Sequence, residues 1–432
     1  MLRLSQLLSL SCVAALARGA YGICSNSDIL PPSKDPWYTE PQGFESSPPG
    51  SVLRIRTAPG NLTDNVQGAK SAYNILFRTT DSHYRPTFAV TTLYVPSKAN
   101  SKTLLSYQIP YDSADVDASP SYTLHDASNV SGAEALSIIL ESGWYLNVPD
   151  YEGPLASFGA GVMSGHATID SIRAVRSLHK RFALDANARY AMWGYSGGAL
   201  ASEWAAELQV QYAPEMSFAG AALGGLTPNV TSVLFGISGT RAAGLGISSI
   251  LGLGSQYPDI LNEYKSKLKK TGPYNATGFF AAKHYSLAQA GAAYAGQDIS
   301  KYFVNGFKAI LNSVTDKLIF RDGLMGYHGI PQMPLYVYKA VHDEISPIKD
   351  TDDLVNKYCD VGANIVYVRN KRGNHEEEGL LGATDAFTWL GVRLSGLPSS
   401  DYPTEGCKIE SVAVNTTSTM TQARIMGRSE LV

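Results

Sequence analysis

Residues 189–198 read RYAMWGYSGG, an apolar run that leads into a serine surrounded by glycines. The run Arg189–Trp193 predicts a strand, and the alanine-rich segment Ala199–Tyr212 predicts a helix directly after it. The intervening GYSGG has the GxSxG pattern, in which small residues permit a sharp strand-to-helix turn that exposes the serine hydroxyl. Such a pattern arises by chance about 0.3 times in a chain like this, and the alternative is a helix-start serine in a glycine turn. The strand and helix around it favour Ser196 as a nucleophile.

Strands and helices alternate on both sides of this turn. From about residue 133 onward the alternation predicts βαβ units and a mostly parallel sheet flanked by helices. It stops between residues 225 and 315, where glycine, alanine and apolar residues predict helices only. We therefore expect an α/β-hydrolase whose core comprises residues 23–224 and 316–432, ending in a C-terminal tail, with an inserted helical lid at 225–315. Four strand-like runs come first: Val52–Arg56, Ala72–Thr79, Thr87–Val95 and Thr103–Ile109.

The N-terminus has the composition of a secretory signal peptide, with Arg3 before the short apolar run Leu7–Leu16. Residues 1–22 are therefore predicted to direct secretion. The apolar segment Ser232–Gly254 suggests a membrane span, but Arg241 and six glycines interrupt it, which favours a mobile helical cap and no transmembrane anchor. Five Asn-x-Ser/Thr sequons are weakly consistent with an extracellular surface: Asn61, Asn129, Asn229, Asn275 and Asn415.

The four cysteines fit an oxidising compartment. Cys12 leaves with the signal peptide, and we expect Cys359 to pair with Cys407, closing a loop of about 48 residues worth roughly 4 kcal/mol. Cys24 is left without an assigned partner. The formal net charge is −3 with no basic block, which argues against nucleic acid as a partner. No His/Cys/Asp cluster has metal-ligand spacing, so neither a metal nor a cofactor is expected. We expect a monomer.

The acid and the base should follow the serine in the order Ser, acid, His, at the ends of later strands. Asp343 follows the predicted strand Pro334–Val341 and is the first choice of acid. Its rivals are Glu344, one residue further on, and Asp322, which has no strong strand before it.

His375 is the only histidine after Asp343, and it lies between a predicted strand at Asn364–Val368 and a predicted helix at Glu376–Leu394. His342 is the rival base, but adjacent residues at a strand end point in opposite directions. In the predicted mechanism His375 takes the serine proton, Asp343 orients the imidazole, and the backbone N–H of Gly197 stabilises the oxyanion.

Several motifs together make the chain resemble the fungal secretory lipase family, from about Asp35 to Cys407. They are Asp35–Tyr38, Ser106–Gln108, Pro120–Tyr122, Gly194–Gly198, Asp343–Ile345 with Pro347, and Gly362–Ile365. The resemblance implies the triad Ser196, Asp343 and His375, and it also implies the Cys359–Cys407 disulfide.

The resemblance further implies that Asp112 supplies a second oxyanion contact. From its own context Asp112 looks like a turn residue. To donate a hydrogen bond it must hold a proton, which requires burial to raise its pKa.

Three functions are considered, and the first is preferred. It is a secreted lipase that acts on triacylglycerols or similar acyl esters at a lipid-water interface, because an apolar lid suits such a surface. The second is an esterase that removes acetyl or short acyl groups from secondary metabolites such as trichothecenes, which the wider family also contains. Only about 25 residues follow Cys407, whereas the family's best-known member has a longer tail that covers the acyl tunnel. The third is a non-catalytic binding protein, which an intact Ser-Asp-His set disfavours.

Overall fold

The computed structural model describes residues 29–60, 62–129, 134–402 and 405–414. The predicted signal peptide, Cys24, Asn61 and Asn415 lie outside them. The strands are β1 Val52–Thr57, β2 Ala69–Thr80, β3 Pro86–Pro96, β4 Thr103–Gln108, β5 Tyr145–Pro149, β6 Arg189–Tyr195, β7 Gly220–Gly224, β8 Leu335–Ala340, β9 Ile365–Asn370 and β10 Cys407–Val412. The helices are α1 Leu62–Asn65, α2 Pro120–Thr123, α3 Glu134–Glu141, α4 Gly161–Ser177, α5 His179–Phe182, α6 Gly197–Tyr212, α7 Val230–Ile237, α8 Ala243–Ser255, α9 Pro258–Lys267, α10 Ala276–Phe280, α11 Leu287–Tyr294, α12 Ser313–Asp322, α13 Ile348–Asp360, α14 His375–Leu381 and α15 Ala383–Ser395.

The strands form one sheet in the order β1-β2-β3-β5-β4-β6-β7-β8-β9-β10. The first three strands pair antiparallel, β3 pairs antiparallel with β5, and all pairs from β5 to β10 are parallel. The prediction of an α/β-hydrolase with a mostly parallel sheet is therefore confirmed. Parallel strands bring their carboxyl ends to one edge of the sheet, where ligands bind in open α/β folds.

Helices cover both faces of the sheet because side chains alternate along each strand. In β6, Tyr190 and Met192 join the apolar core that packs beneath α4, α6 and α13. Ala191 and Trp193 join the opposite core, which packs against α3 and α15. The central strand is thus buried on both sides, which gives the turn after it a rigid support.

The two helices beside β6 approach each other closely. A Cβ at Gly161 of α4 would lie 1.9 Å from the ring of Trp204 on α6, and a Cβ at Gly165 would lie 2.8 Å from the Trp204 backbone. The glycines therefore let α4 and α6 pack closely, and α6, which begins directly after Ser196, is held in place.

The chain between β7 and β8 leaves the sheet as α7 to α12, the segment that is predicted to form the lid. It has an apolar core of its own that includes Ile247, Leu251, Phe279 and Tyr302. The predicted lid end at residue 315 falls inside α12, and the lid boundaries remain a prediction. The apolar segment discussed above divides into α7 and α8, and none of the helices in the described ranges is long and apolar enough to cross a membrane.

Two local predictions differ from the structure. The predicted helix Glu376–Leu394 is divided into α14 and α15 at Gly382, where a Cβ would lie 2.2 Å from the ring of Tyr338. The predicted C-terminal tail includes a tenth strand, because Cys407–Val412 pairs in parallel register with Ile365–Asn370. Both features depend on contacts with distant segments, so local patterns did not reveal them.

Candidate active site

Ser196 lies in the sharp turn between β6 and α6. Its φ is 53°, in the left-handed region that residues other than glycine rarely adopt, and its N–H donates to the Gly224 carbonyl at 2.9 Å. The flanking glycines are sterically required. A Cβ at Gly194 would lie 2.1 Å from the Gly198 carbonyl oxygen, and a Cβ at Gly198 would lie 1.9 Å from the Gln108 carbonyl oxygen. The crowded turn places the hydroxyl at the carboxyl edge of the sheet.

Three of the predicted residues meet in one hydrogen-bonded chain. Nε2 of His375 lies 2.9 Å from Oγ of Ser196, and Nδ1 of His375 lies 2.7 Å from Oδ2 of Asp343. Oδ1 of Asp343 accepts the N–H groups of Ile345 and Ser346 at 2.9 and 2.8 Å. Burial opposes ionisation of Asp343, but the bond from His375 and a neighbouring ammonium group outweigh it and hold the pKa of Asp343 below its usual value. The carboxylate is therefore fixed and ionised.

The start of α14 positions His375. The side chain of Asn374 accepts the N–H of Glu377 at 3.0 Å, and the carboxylate of Glu377 accepts the N–H of Asn374 at 3.1 Å, which is a capping box. The N–H of His375 donates to the carboxylate of Glu344 at 2.9 Å, and its carbonyl accepts from the hydroxyl of Tyr195. Glu344, one rival acid, thus contacts the backbone of His375, while Asp343 contacts its ring.

The other two rivals lie elsewhere. His342 is exposed at the end of β8. Asp322 is buried at the end of α12, where it accepts the N–H of Val162 at 2.6 Å and the hydroxyl of Tyr257 at 3.1 Å. Asp322 therefore joins α12 to the start of α4, a structural contact.

Asp112 and Gly197 lie next to each other in the lining of the pocket that contains Ser196. Asp112 is buried with a φ of 40°, and its Oδ1 has no hydrogen-bond partner within the described residues. A Cβ at Gly197 would lie 1.9 Å from that oxygen, so only glycine fits beside it. Burial raises the pKa of Asp112 to about 7, so a neutral carboxyl is accessible near neutral pH. Gly197 begins α6, where the backbone N–H has no partner within the helix.

A pocket with about 910 Å³ of empty space, which includes solvent at its open mouth, extends from Ser196 beneath α7, α8 and α12. Its walls come largely from α7, α8 and α12 together with the first turns of α6. Among the described residues that line it, Asp112 alone carries a carboxylate, ammonium or guanidinium group. The apolar lining includes Phe158, Leu200, Val233, Leu234, Ile237, Leu245, Ile250, Leu253, Ile310, Leu318 and Ile345. The pocket therefore suits an apolar acyl or alcohol group.

The sequence analysis gave no role to Lys339, which contacts Asp343 in the structure. It lies on β8, four residues before Asp343, and its side chain is fully buried. Its ammonium group donates to Oδ2 of Asp343 and to the carbonyl of Leu226, both at 2.8 Å. The available signal was a single lysine within the otherwise uncharged strand Leu335–Ala340.

The structure contains a disulfide between Cys359 and Cys407, which joins α13 to β10. Asn229 and Asn275 cap the N-termini of α7 and α10 through their side chains, and Asn129 ends the second described range. Glycosylation of any sequon remains a prediction. The described residues hold no group of three or more His, Cys, Asp or Glu side chains arranged for a metal ion.

The sheet, the strained serine and the hydrogen-bonded Ser-His-Asp chain define an α/β-hydrolase. The chain belongs to the secretory lipase family, whose sequence model matches residues 127–401.

Curated relatives cover most of the chain. It is 50% identical over 406 residues to a trichothecene C-3 esterase of Fusarium sporotrichioides, covering 91% of this chain and 90% of that one. It is 35% identical over 396 residues to lipase A of Arthroderma benhamiae, covering 89% and 83%. The closed structure of Candida antarctica lipase A superposes with a TM-score of 0.80 at 25% identity, covering 93% and 94%. The chain is therefore a carboxylic ester hydrolase.

Proposed function

We propose that the chain cleaves esters through an acyl-enzyme on Ser196. Its Oγ attacks the carbonyl carbon while Nε2 of His375 takes the proton, and Asp343 orients the imidazole and stabilises its charged form. The imidazolium then gives the proton to the leaving alcohol. Water, activated in the same way, releases the acid and restores the serine. The hydrogen-bonded chain of 2.9 and 2.7 Å carries this proposal.

The oxyanion of the tetrahedral intermediate would be stabilised by the N–H of Gly197 and by the protonated carboxyl of Asp112. Three features of Asp112 support its role: it is buried, its Oδ1 is unpaired within the described residues, and it lines the same pocket as Ser196. A neutral acid donates without adding negative charge beside the oxyanion. Donors placed where charge develops are worth about 10²–10³ in rate each.

We infer that the ester is an acetylated or short-acyl secondary metabolite of the trichothecene type. The trichothecene C-3 esterase shares 50% identity with this chain over 91% of its length. A second relative, named as a probable trichothecene esterase, shares 38% identity over 90% of its length. An apolar pocket beneath the lid is compatible with a compact terpenoid and a short acyl group. The higher identity to the trichothecene esterases supports this substrate over the triacylglycerols that the sequence alone favoured.

A triacylglycerol lipase is the second candidate. The relatives named as lipases share about 33–35% identity over more than four fifths of the chain. The lid region also exposes large apolar side chains, including Phe235 at 50% and Val314 at 52%. Such side chains suit contact with a lipid-water interface.

The predicted signal peptide supports secretion of the protein, in agreement with the family. The monomeric state remains a prediction.

One experiment decides between the two substrates. The purified protein is assayed under identical conditions with a C-3-acetylated trichothecene, tributyrin and triolein, and with p-nitrophenyl esters of increasing chain length. We expect the highest kcat/KM for the acetylated trichothecene and a chain-length optimum at acetate. A higher kcat/KM for triolein, with an optimum at long chains, would instead establish the lipase. Ser196→Ala serves as the control for hydrolysis by contaminants.

A further inference from the structure

A buried lysine contacts the acid of the proposed triad at the same oxygen as the imidazole. The side chains of Lys339 and Asp343 are both fully buried. Oδ2 of Asp343 accepts two hydrogen bonds, from Nζ of Lys339 at 2.8 Å and from Nδ1 of His375 at 2.7 Å. Both donors share one oxygen, so the ammonium and imidazole nitrogens lie no more than about 5.5 Å apart.

We propose that Lys339 is a positioning residue for the hydrolysis: its ammonium group fixes Oδ2 of Asp343 and so holds the carboxylate in the orientation that aligns the imidazole of His375. The proposal rests on the proposed function of Ser196, His375 and Asp343. It assigns Lys339 no contact with the substrate, since the residue is absent from the pocket lining.

The contacts of Asp343 show why a third anchor matters. Its Oδ1 is held by the N–H groups of Ile345 and Ser346, which fixes one end of the carboxylate. Lys339 and His375 hold the other end. A carboxylate restrained at both oxygens cannot rotate away from the imidazole, so the ring keeps the orientation in which Nε2 faces the serine.

The charge of Lys339 acts on the carboxylate of Asp343. Burial opposes ionisation of that carboxyl, and the bond from His375 together with the ammonium group holds its pKa below the usual value. Asp343 therefore contacts Nδ1 of His375 as a carboxylate. Without the ammonium group the carboxylate has one partner fewer at Oδ2 and holds the ring less firmly, so we expect a lower kcat.

Other groups near this cluster influence the same charges. Desolvation lowers the pKa of Lys339, and the carboxylate of Asp343 opposes that effect. Further ionisable groups act on Lys339, Asp343 or His375 from α13, α14, the loop after β8 and the end of β6: Asp350, Asp352, Glu378, Glu344 and Tyr195.

Lys339 also reaches the first residues of the lid. It donates to the carbonyl of Leu226, which additionally accepts the hydroxyls of Ser346 at 3.1 Å and Thr351 at 3.4 Å. A variant of Lys339 therefore removes two contacts at once. Thr351→Val provides the matched control, because it removes one bond to Leu226 and leaves Asp343 untouched.

The test measures kcat and KM for p-nitrophenyl acetate at pH 7 in Lys339→Met, Lys339→Gln and Thr351→Val. Gln is shorter than Lys and still offers an N–H, so Lys339→Gln is the second variant in case Lys339→Met does not fold. We expect both Lys339 variants to lose about 10- to 100-fold in kcat, with KM changed by less than about threefold. Thr351→Val should keep the wild-type kcat and KM.

A double-mutant cycle with Asp343→Asn separates positioning from general support of the fold. If Lys339 acts through Asp343, then Lys339→Gln lowers the residual rate of Asp343→Asn by less than twofold. A wild-type kcat in both Lys339 variants, an equal loss in both backgrounds, or loss of the cooperative unfolding transition in both Lys339 variants would overturn the proposal. Full activity of Ser196→Ala would instead overturn the proposed function itself.

Discussion

Replacement of Asp112 by asparagine should change the alkaline limb of the pH profile while leaving activity near neutral pH. An aspartic acid donates to the oxyanion only when it is protonated, whereas the amide of asparagine donates at every pH. Burial raises the pKa of Asp112 to about 7. The wild-type enzyme should therefore lose its second oxyanion donor as the pH rises through about 7, and Asp112→Asn should retain one.

The expected fall in kcat/KM follows from the pKa of Asp112 and from the contribution of one oxyanion donor to the rate. At two pH units above its pKa, about 1% of the carboxyl remains protonated. Loss of one oxyanion donor costs about 10²–10³ in rate, and half of the carboxyl is already ionised at pH 7, so wild-type kcat/KM should fall about 25- to 50-fold from pH 7 to pH 9. Asp112→Asn should fall less than about threefold. The neighbouring groups Glu152 and Tyr151 share this environment, and burial together with Asp112 raises the pKa of both.

The same substitution has a stability consequence of definite sign. The pKa of Asp112 rises from 3.8 in the unfolded chain to about 7 in the fold, so the native state binds more protons between these values. Its contribution to stability is largest below pH 4 and is lost as the pH rises to about 7, by at most about 4 kcal/mol. Asp112→Asn has no such loss, and its free energy of unfolding relative to wild type should increase between pH 4 and pH 8.

Two measurements test this reasoning. The first is kcat/KM from pH 5 to 9 for wild type and Asp112→Asn, with spontaneous ester hydrolysis subtracted. The second is urea unfolding of both proteins at pH 4 and pH 8. Parallel alkaline limbs in the two proteins would refute the role of a protonated Asp112. An Asp112→Ala variant, which can donate at no pH, should be low throughout the range and serves as the matched control.

The remaining predictions concern the nucleophile, the turn and the disulfide. Ser196→Ala and His375→Ala should each lower kcat by several thousandfold or more with an unchanged unfolding transition; a variant that keeps a tenth of the rate shows that its residue is misassigned. Gly197→Ala should lower kcat/KM by about 100-fold, since its Cβ would lie 1.9 Å from a carboxyl oxygen; a wild-type rate would contradict the proposed oxyanion site. Replacing Cys359 and Cys407 by alanine should cost about 4 kcal/mol in urea unfolding, and an unchanged midpoint would contradict that value.

Periodicity and spacing predicted the fold class because each signal is local. The strand-to-helix change around Ser196, the βαβ alternation and the interruption at 225–315 follow from side-chain periods of neighbouring residues. The order Ser196, Asp343, His375 follows from the connectivity of such a sheet, in which acid and base come after later strands. The family resemblance added Asp112, whose local context indicated only a turn.

By itself the sequence determined which residues could form the turn and the hydrogen-bonded chain, since these depend on residue type and chain order. The tertiary structure decided what surrounds them. It buried the carboxyl of Asp112 against Gly197, brought the ammonium group of Lys339 onto Asp343, divided the last long helix at Gly382 against Tyr338, and added β10 to the sheet edge. Each of these features joins segments that are distant in the chain. Burial and hydrogen bonding set the pKa values and the positions of these side chains. Both arise only when the chain is packed, so no local sequence pattern contains them.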